Sequence, residues 1–157
     1  MNGNPSQVAE TFYSAFARRD AESMNSCYAE DAHFSDPIFA SLGPTETKAL
    51  WRMLCASAQD FSLTYSVQET EPDSVSVKWI ARYTFAATGR RVENHVHAYL
   101  RLRNGKIFEH KDEFDFPRWA RQALGPIAIV LAYFPFFQEK VRSSAQKNLE
   151  KFITTGR

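Results

Sequence analysis

At 157 residues and a net charge of +1, the chain is long enough for one sizeable core and has no basic stripe of the kind that binds nucleic acid. The most apolar run, Ile127 to Phe137, is interrupted by Pro135 and is too short to cross a bilayer, and the opening MNGNPSQVAE has neither the basic nor the apolar part of a secretory signal. A cytoplasmic protein with no membrane span is expected, and its 13 Phe, 6 Tyr and 3 Trp suit either a plain core or a lined cavity.

The first helix is predicted to start at Pro5, with Asn4 as its cap and Gln7 completing a capping box. Val8, Phe12, Ala15 and Phe16 share its apolar face. Asp20 caps a short second helix whose buried side is Met24, Cys27 and Tyr28. Next comes YAEDAHFSDPIF, Tyr28 to Phe39. Read as a strand, it turns Ala32, Phe34 and Asp36 to one face, because residues two apart project together. Pro37 then holds Asp36 extended and ends the strand. A carboxylate that shares a face with Ala32 and Phe34 belongs at the mouth or floor of a pocket, where its charged form is disfavoured by desolvation.

A third helix opens at Gly43-Pro44-Thr45, with Leu50, Met53, Leu54 and Ala58 as its stripe and Trp51 at its edge. Cys27 and Cys55 both fall on predicted helices among apolar neighbours and are read as reduced thiols. From Phe61 the period becomes two. Phe61, Leu63, Tyr65 and Val67 alternate with polar residues, then Val75 to Phe85, then Val92 to Leu102 with Asn94 as the one polar member of its face. Asn104-Gly105 marks a hairpin. After it, Phe108, His110, Asp112, Phe114 and Phe116 share a face. Four strands joined by short turns predict an antiparallel meander with one covered and one wetter side. Pro117 opens a helix over Arg118 to Leu124, and a last helical region runs from about Ile127 to Phe152 with a break at Pro135. The fold class is α+β: a curved antiparallel sheet wrapped around three N-terminal helices into a cone, with an extra C-terminal helical tail.

The covered faces collect few polar groups: Asp36, Asn94, His110 and Asp112. One reading has Asp36, His110 and Asp112 converging on a ligand as acid/base groups. The other has His110 and Asp112 paired with each other, or with the C-terminal helices, for structure alone. His95 and His97 lie on the opposite, polar face with Tyr99 and Arg101. They have no third ligand at a suitable position, so no metal is expected and this face reads as wet or as a subunit interface. No phosphate loop, dinucleotide fingerprint or serine triad is present, and no cofactor is expected.

Helix, short helix, YAEDAHFSDPIF, a G-P-x-E helix and a meander carrying NGKIFEHKDEFDF resemble the NTF2-like superfamily, and within it the SnoaL-like and ketosteroid-isomerase-like proteins. The likeness spans about residues 6–116. It implies that Asp36, at the x-D-P position, is a general base acting α to a carbonyl. Tyr28 and Trp51 match positions that flank the pocket, and His110, Asp112 and Phe114 match pocket-facing strand residues. The oxyanion-binding tyrosine of the isomerases falls on Phe12, with Tyr13 one residue out of register, and their sheet aspartate falls on or near Ala98. Both donors of that mechanism are therefore replaced. SnoaL-like cyclases use a sheet acid for an aldol closure. Related epoxide hydrolases use an Asp-Arg-Asp group, for which Arg82 is the nearest arginine, with outward parity.

The resulting expectation is a single domain over residues 1–157, with its core at about 6–116 and a helical extension over 117–157. Asp36, His110 and Asp112 are its catalytic candidates. Phe12, Tyr13, Tyr28, Phe34, Trp51, Tyr83, Phe85, Asn94, Ala98 and Phe114 are its candidate pocket. The ligand is expected to be a small apolar or cyclic organic molecule, and the chain a homodimer through its outer sheet face. Acid/base catalysis of isomerase, cyclase or hydrolase type stands beside a non-catalytic ligand-binding or dimerisation domain.

Overall fold

The computed structural model describes residues 4–57 and 59–156; Ala58, expected on the third helix's stripe, lies outside them. The elements run α1 (Pro5–Ala17), α2 (Ala21–Asn25), β1 (Tyr28–Ser35), α3 (Pro44–Ser57), β2 (Ser62–Glu71), β3 (Ser74–Phe85), β4 (Arg90–Arg103), β5 (Lys106–Glu113), α4 (Phe116–Leu124), α5 (Ala128–Leu131) and α6 (Pro135–Thr155). Asn4 caps α1 by accepting from the Gln7 amide at 2.8 Å, and Pro5, which has no amide hydrogen to leave unpaired, fills the first turn. Asp20 caps α2 through the Ser23 amide.

The five strands form a curved, unclosed sheet in the order β1-β5-β4-β3-β2. β2 to β5 are the antiparallel meander that the period-two pattern predicts. β1 adds a feature the pattern does not show: it joins the edge parallel to β5, Phe34 opposite His110, so one pair of the sheet is not antiparallel. In the hairpin between β4 and β5, Asn104 and Gly105 have φ of 54° and 74°, the left-handed pair a two-residue turn requires.

Alternation predicts the covered face of β3 and β4 well. Val75, Val77, Trp79 and Ala81 are buried, as are Val92, Val96, Ala98, Leu100 and Leu102. It fails at the start of β5. Register shifts between Arg101 and Leu102, so that Leu102 pairs with Ile107 and Arg101 with Glu109. This bulge moves Ile107 into the core and turns Phe108 out, under the guanidinium groups of Arg101 and Arg103. Three helix expectations also change. Trp51 is fully inside rather than at the edge of α3, whereas Leu54 is exposed. Cys27 lies in the turn after α2. Both thiols are free, Cys27 buried and Cys55 half-buried.

Helices α1 to α3 fill the concave side with one large core, to which α6 contributes the fully buried Leu149. A second cluster joins Val92 to Phe116, Trp119, Ala120, Ala123, Ala128 and Ala132, with Phe137 and Val141 of α6 packed against it. The tail thus folds back against the main core and β4.

Candidate functional site

Four side chains from distant parts of the sequence form one buried chain. Trp51 Nε1 meets Tyr28 Oη at 2.8 Å, Tyr28 Oη meets His110 Nδ1 at 2.7 Å, and His110 Nε2 meets Asp112 Oδ1 at 2.8 Å. An indole nitrogen can only donate, so Tyr28 Oη accepts from Trp51 and directs its own hydrogen at His110 Nδ1. The imidazole proton then sits on Nε2 and is donated to Asp112. Both ends of this orientation are fixed, by a group with no acceptor and by a carboxylate. His110 is enclosed by the rings of Phe12, Phe34, Trp51 and Tyr28, the nearest, Phe34, with its centroid at 4.9 Å. These four expected pocket residues make the wall that holds the imidazole. His110 and Asp112 retain only 1% and 3% exposure.

Asp36 lies one residue beyond β1, in a turn its own carboxylate holds. Oδ1 accepts from the Ile38 amide at 2.7 Å and the Phe39 amide at 2.6 Å, while the Asp36 amide donates to Phe39 O at 2.8 Å. An aspartate followed by proline is suited to this, since the side chain can bond the backbone two and three residues on. Arg142 of α6 closes over the turn, its Nε donating to Pro37 O at 3.0 Å. The residue keeps partial contact with water, yet protein surrounds its carboxyl densely enough to push it up to about 7. Burial is the main cause; the neighbouring Asp112 adds to it, while the two turn amides and Arg142 oppose it. Asp36 and Asp112 therefore belong to one electrostatic site.

Tyr83 is the third polar group at this end. Trp119 Nε1 donates to its hydroxyl at 3.1 Å. Burial, and to a lesser degree Asp36, push the phenol above its ordinary range. Its own hydroxyl hydrogen has no hydrogen-bond acceptor among the described residues. Phe85 and Phe114 flank Trp119, and Asn94 is half-buried on β4 opposite Ala81. Tyr13 lies deeper, against Tyr65 and Trp79, its hydroxyl near the Trp79 indole nitrogen without reaching hydrogen-bonding geometry. Ala98 is fully buried between Val77 and Asp112 in the ladder. Arg82 is bound to Glu93 on the outer face at 2.7 Å, as its parity predicts. His95 bonds Glu93, and His97 stacks on Tyr99.

The model of the SnoaL-like domain matches residues 9–110. The chain belongs to the SnoaL-like family. No curated protein matches it significantly. Solved structures of the same fold include IdmH of Streptomyces antibioticus, a candidate polyketide cyclase. It is 24% identical, with a TM-score of 0.63 over 76% of this chain and 98% of that one. A ketosteroid-isomerase-like protein of Catenulispora acidiphila in complex with trimethylamine is 15% identical, with a TM-score of 0.67 over 85% and 100%. An epoxide hydrolase of M. tuberculosis, of the LEH-like type, is 18% identical, with a TM-score of 0.59 over 80% and 94%. These three likenesses show the fold. Each of those proteins is covered nearly end to end, whereas part of this SnoaL-like chain extends beyond them. The family match itself stops before Asp112 and before α4 to α6.

The matched residues therefore include Tyr28, Trp51, His110 and the Asp36 turn, Asp112 lies just beyond them on β5, and the tail supplies Arg142 and Trp119. Sequence reasoning missed both. Arg142 acts on a carbonyl 105 residues away, and no local pattern marks such a partner. Trp119 falls inside the helix expected over Arg118 to Leu124, and the signal that it meets a partner such as Tyr83 would have been the buried-donor requirement of its indole.

Proposed function

We propose that this protein binds a small, largely apolar organic molecule at the wide end of the cone and moves a proton on it. Asp36 is the base, Tyr83 donates to the ligand oxygen, and Asp112, the carboxylate that accepts from His110, orients the imidazole. What supports this reading is the burial of the Asp36 carboxyl in its turn, with the charge of Asp112 acting on Asp36 and that of Asp36 acting on the Tyr83 phenol. A base with a pKa near the working pH combines adequate ionised fraction with driving force. The Tyr83 hydrogen stands in for the oxyanion donors that Phe12 and Ala98 replace. Neutral, apolar surroundings favour a cyclic ketone or comparable carbonyl compound over an ionic substrate.

The test is exchange of α-hydrogens of apolar cyclic ketones in deuterated buffer, followed by NMR. Asp36→Asn is expected to lower exchange by about 100-fold or more, and Tyr83→Phe by about the same factor with binding retained. Exchange unchanged in folded Asp36→Asn would remove Asp36 from the mechanism.

A non-catalytic ligand-binding domain is the second reading. It is favoured by the use of Asp36 Oδ1 to hold its own turn. Binding that survives Asp36→Asn and Tyr83→Phe, with every ketone recovered unexchanged, would select it. In either case we place the homodimer interface on the outer sheet face. The two free thiols support the reducing cytoplasm as the compartment.

A further inference from the structure

The segment joining α4 to α6 is built with its large residues outward. Consecutive helical turns run from Ile127 to Phe134. Among the described side chains of these turns, the buried ones are the small Ala128 and Ala132. Ile127, Val130, Tyr133, Phe134 and Phe136 are instead 49% to 73% exposed, with the Phe134 and Phe136 rings 6.1 Å apart. A packing helix places its large apolar residues against the core, so this arrangement is inverted. A patch of five large neighbours is of the kind that marks an interaction site.

The charges around it indicate the partner. No charged residue lies between Arg121 and Glu139. Across 118–142 stand Arg118, Arg121, Lys140 and Arg142 against the single carboxylate Glu139. Arg121 and Lys140 have no carboxylate partner among the described residues. Arg90 is drawn to the same end, its Nε donating to Gln122 O at 2.8 Å. An uncharged, aromatic-bearing surface rimmed by free cations is the composition that lies in a bilayer interface. The segment is not a span, since no described helix is long and apolar enough to cross a membrane. A second copy fits less well, because pairing this patch with itself would bring like cations together.

We propose that the α4–α6 surface docks onto an anionic lipid bilayer, with the Ile127–Phe136 aromatics in the interface and the surrounding cations on the headgroups. The inference does not depend on what occupies the cone. The test is flotation of the full chain with phosphatidylcholine vesicles made with and without phosphatidylglycerol. The chain is expected to float with the anionic vesicles and to be released by added salt. Tyr133→Ser, Phe134→Ser and Phe136→Ser combined should weaken binding about tenfold or more. Arg121→Gln with Lys140→Gln should weaken it by roughly fivefold per cation. Three results would each overturn the proposal: no flotation of the wild type, equal flotation of both variants, or a triple variant whose only change is a smaller oligomer.

Discussion

Asp36 is held in its turn by two amides, yet its surroundings disfavour its charge. Its folded pKa, about 7, lies above the ordinary 3.8. The stabilisation tied to its protonated form is therefore fully present below pH 3.8 and is lost as pH rises through 7. Asp36→Asn removes the ionising group and keeps an oxygen for the Ile38 and Phe39 amides. The variant should be more stable than the wild type at about pH 8, by ~1–2 kcal/mol, and this advantage should shrink as pH falls through 7 and vanish only toward pH 3.8. The figure is below the ~4 kcal/mol of the full shift because the carboxyl still touches water. Urea denaturation at both pH values measures it; a difference independent of pH would contradict the desolvation argument. The sequence reading reached the desolvation of Asp36 through its parity with Ala32 and Phe34. It could not reach the turn amides or Arg142, which depend on how α6 folds back.

At the level of elements, alternation identified the covered face of β3 and β4 because each strand keeps one register along its length. β5 does not. Ile107 and Phe108 are adjacent and both apolar, so hydrophobicity alone cannot choose between them, and the bulge opposite Arg101 and Leu102 decides. Ile107→Ala should cost ~2–4 kcal/mol through a core cavity. Phe108→Ala should cost no more than about 1 kcal/mol, since its ring is held by two surface guanidinium groups. Thermal denaturation of the two variants decides, and the reverse order would place the bulge elsewhere. The bulge also explains why His110 and Asp112 face inward although the first inner residue of the strand, Ile107, has the opposite parity. Trp51 was misjudged for a related reason: helical periodicity ranks faces, but the Tyr28 hydroxyl, 23 residues away, is what draws the indole inside.

For the whole molecule, the outer sheet face carries a concavity of about 810 Å³ lined by residues that include Lys78, His97, Tyr99 and Arg101. His97 Nε2 is buried there without a partner among the described residues, which a facing subunit would supply. Sedimentation at micromolar concentration should show a dimer that Tyr99→Glu dissociates; a wild-type monomer would refute the interface. The fold was legible because helix order, the hairpin signal and strand alternation agree. The tail was legible as helices but not in what it packs on, since the contacts of α6 with Pro37 and Glu46 are made across 105 and 100 residues. A different consequence follows from the parallel seating of β1. Tyr28 and His110 are 82 residues apart, and only β1–β5 pairing brings them together. The meander from β2 to β5 is joined by short local closures, whereas this one is long-range and entropically the least favoured. The buried chain through Tyr28 and His110 is therefore assembled by the slowest kind of contact, so a chain emerging from synthesis carries β1 as an unpaired edge until β5 arrives.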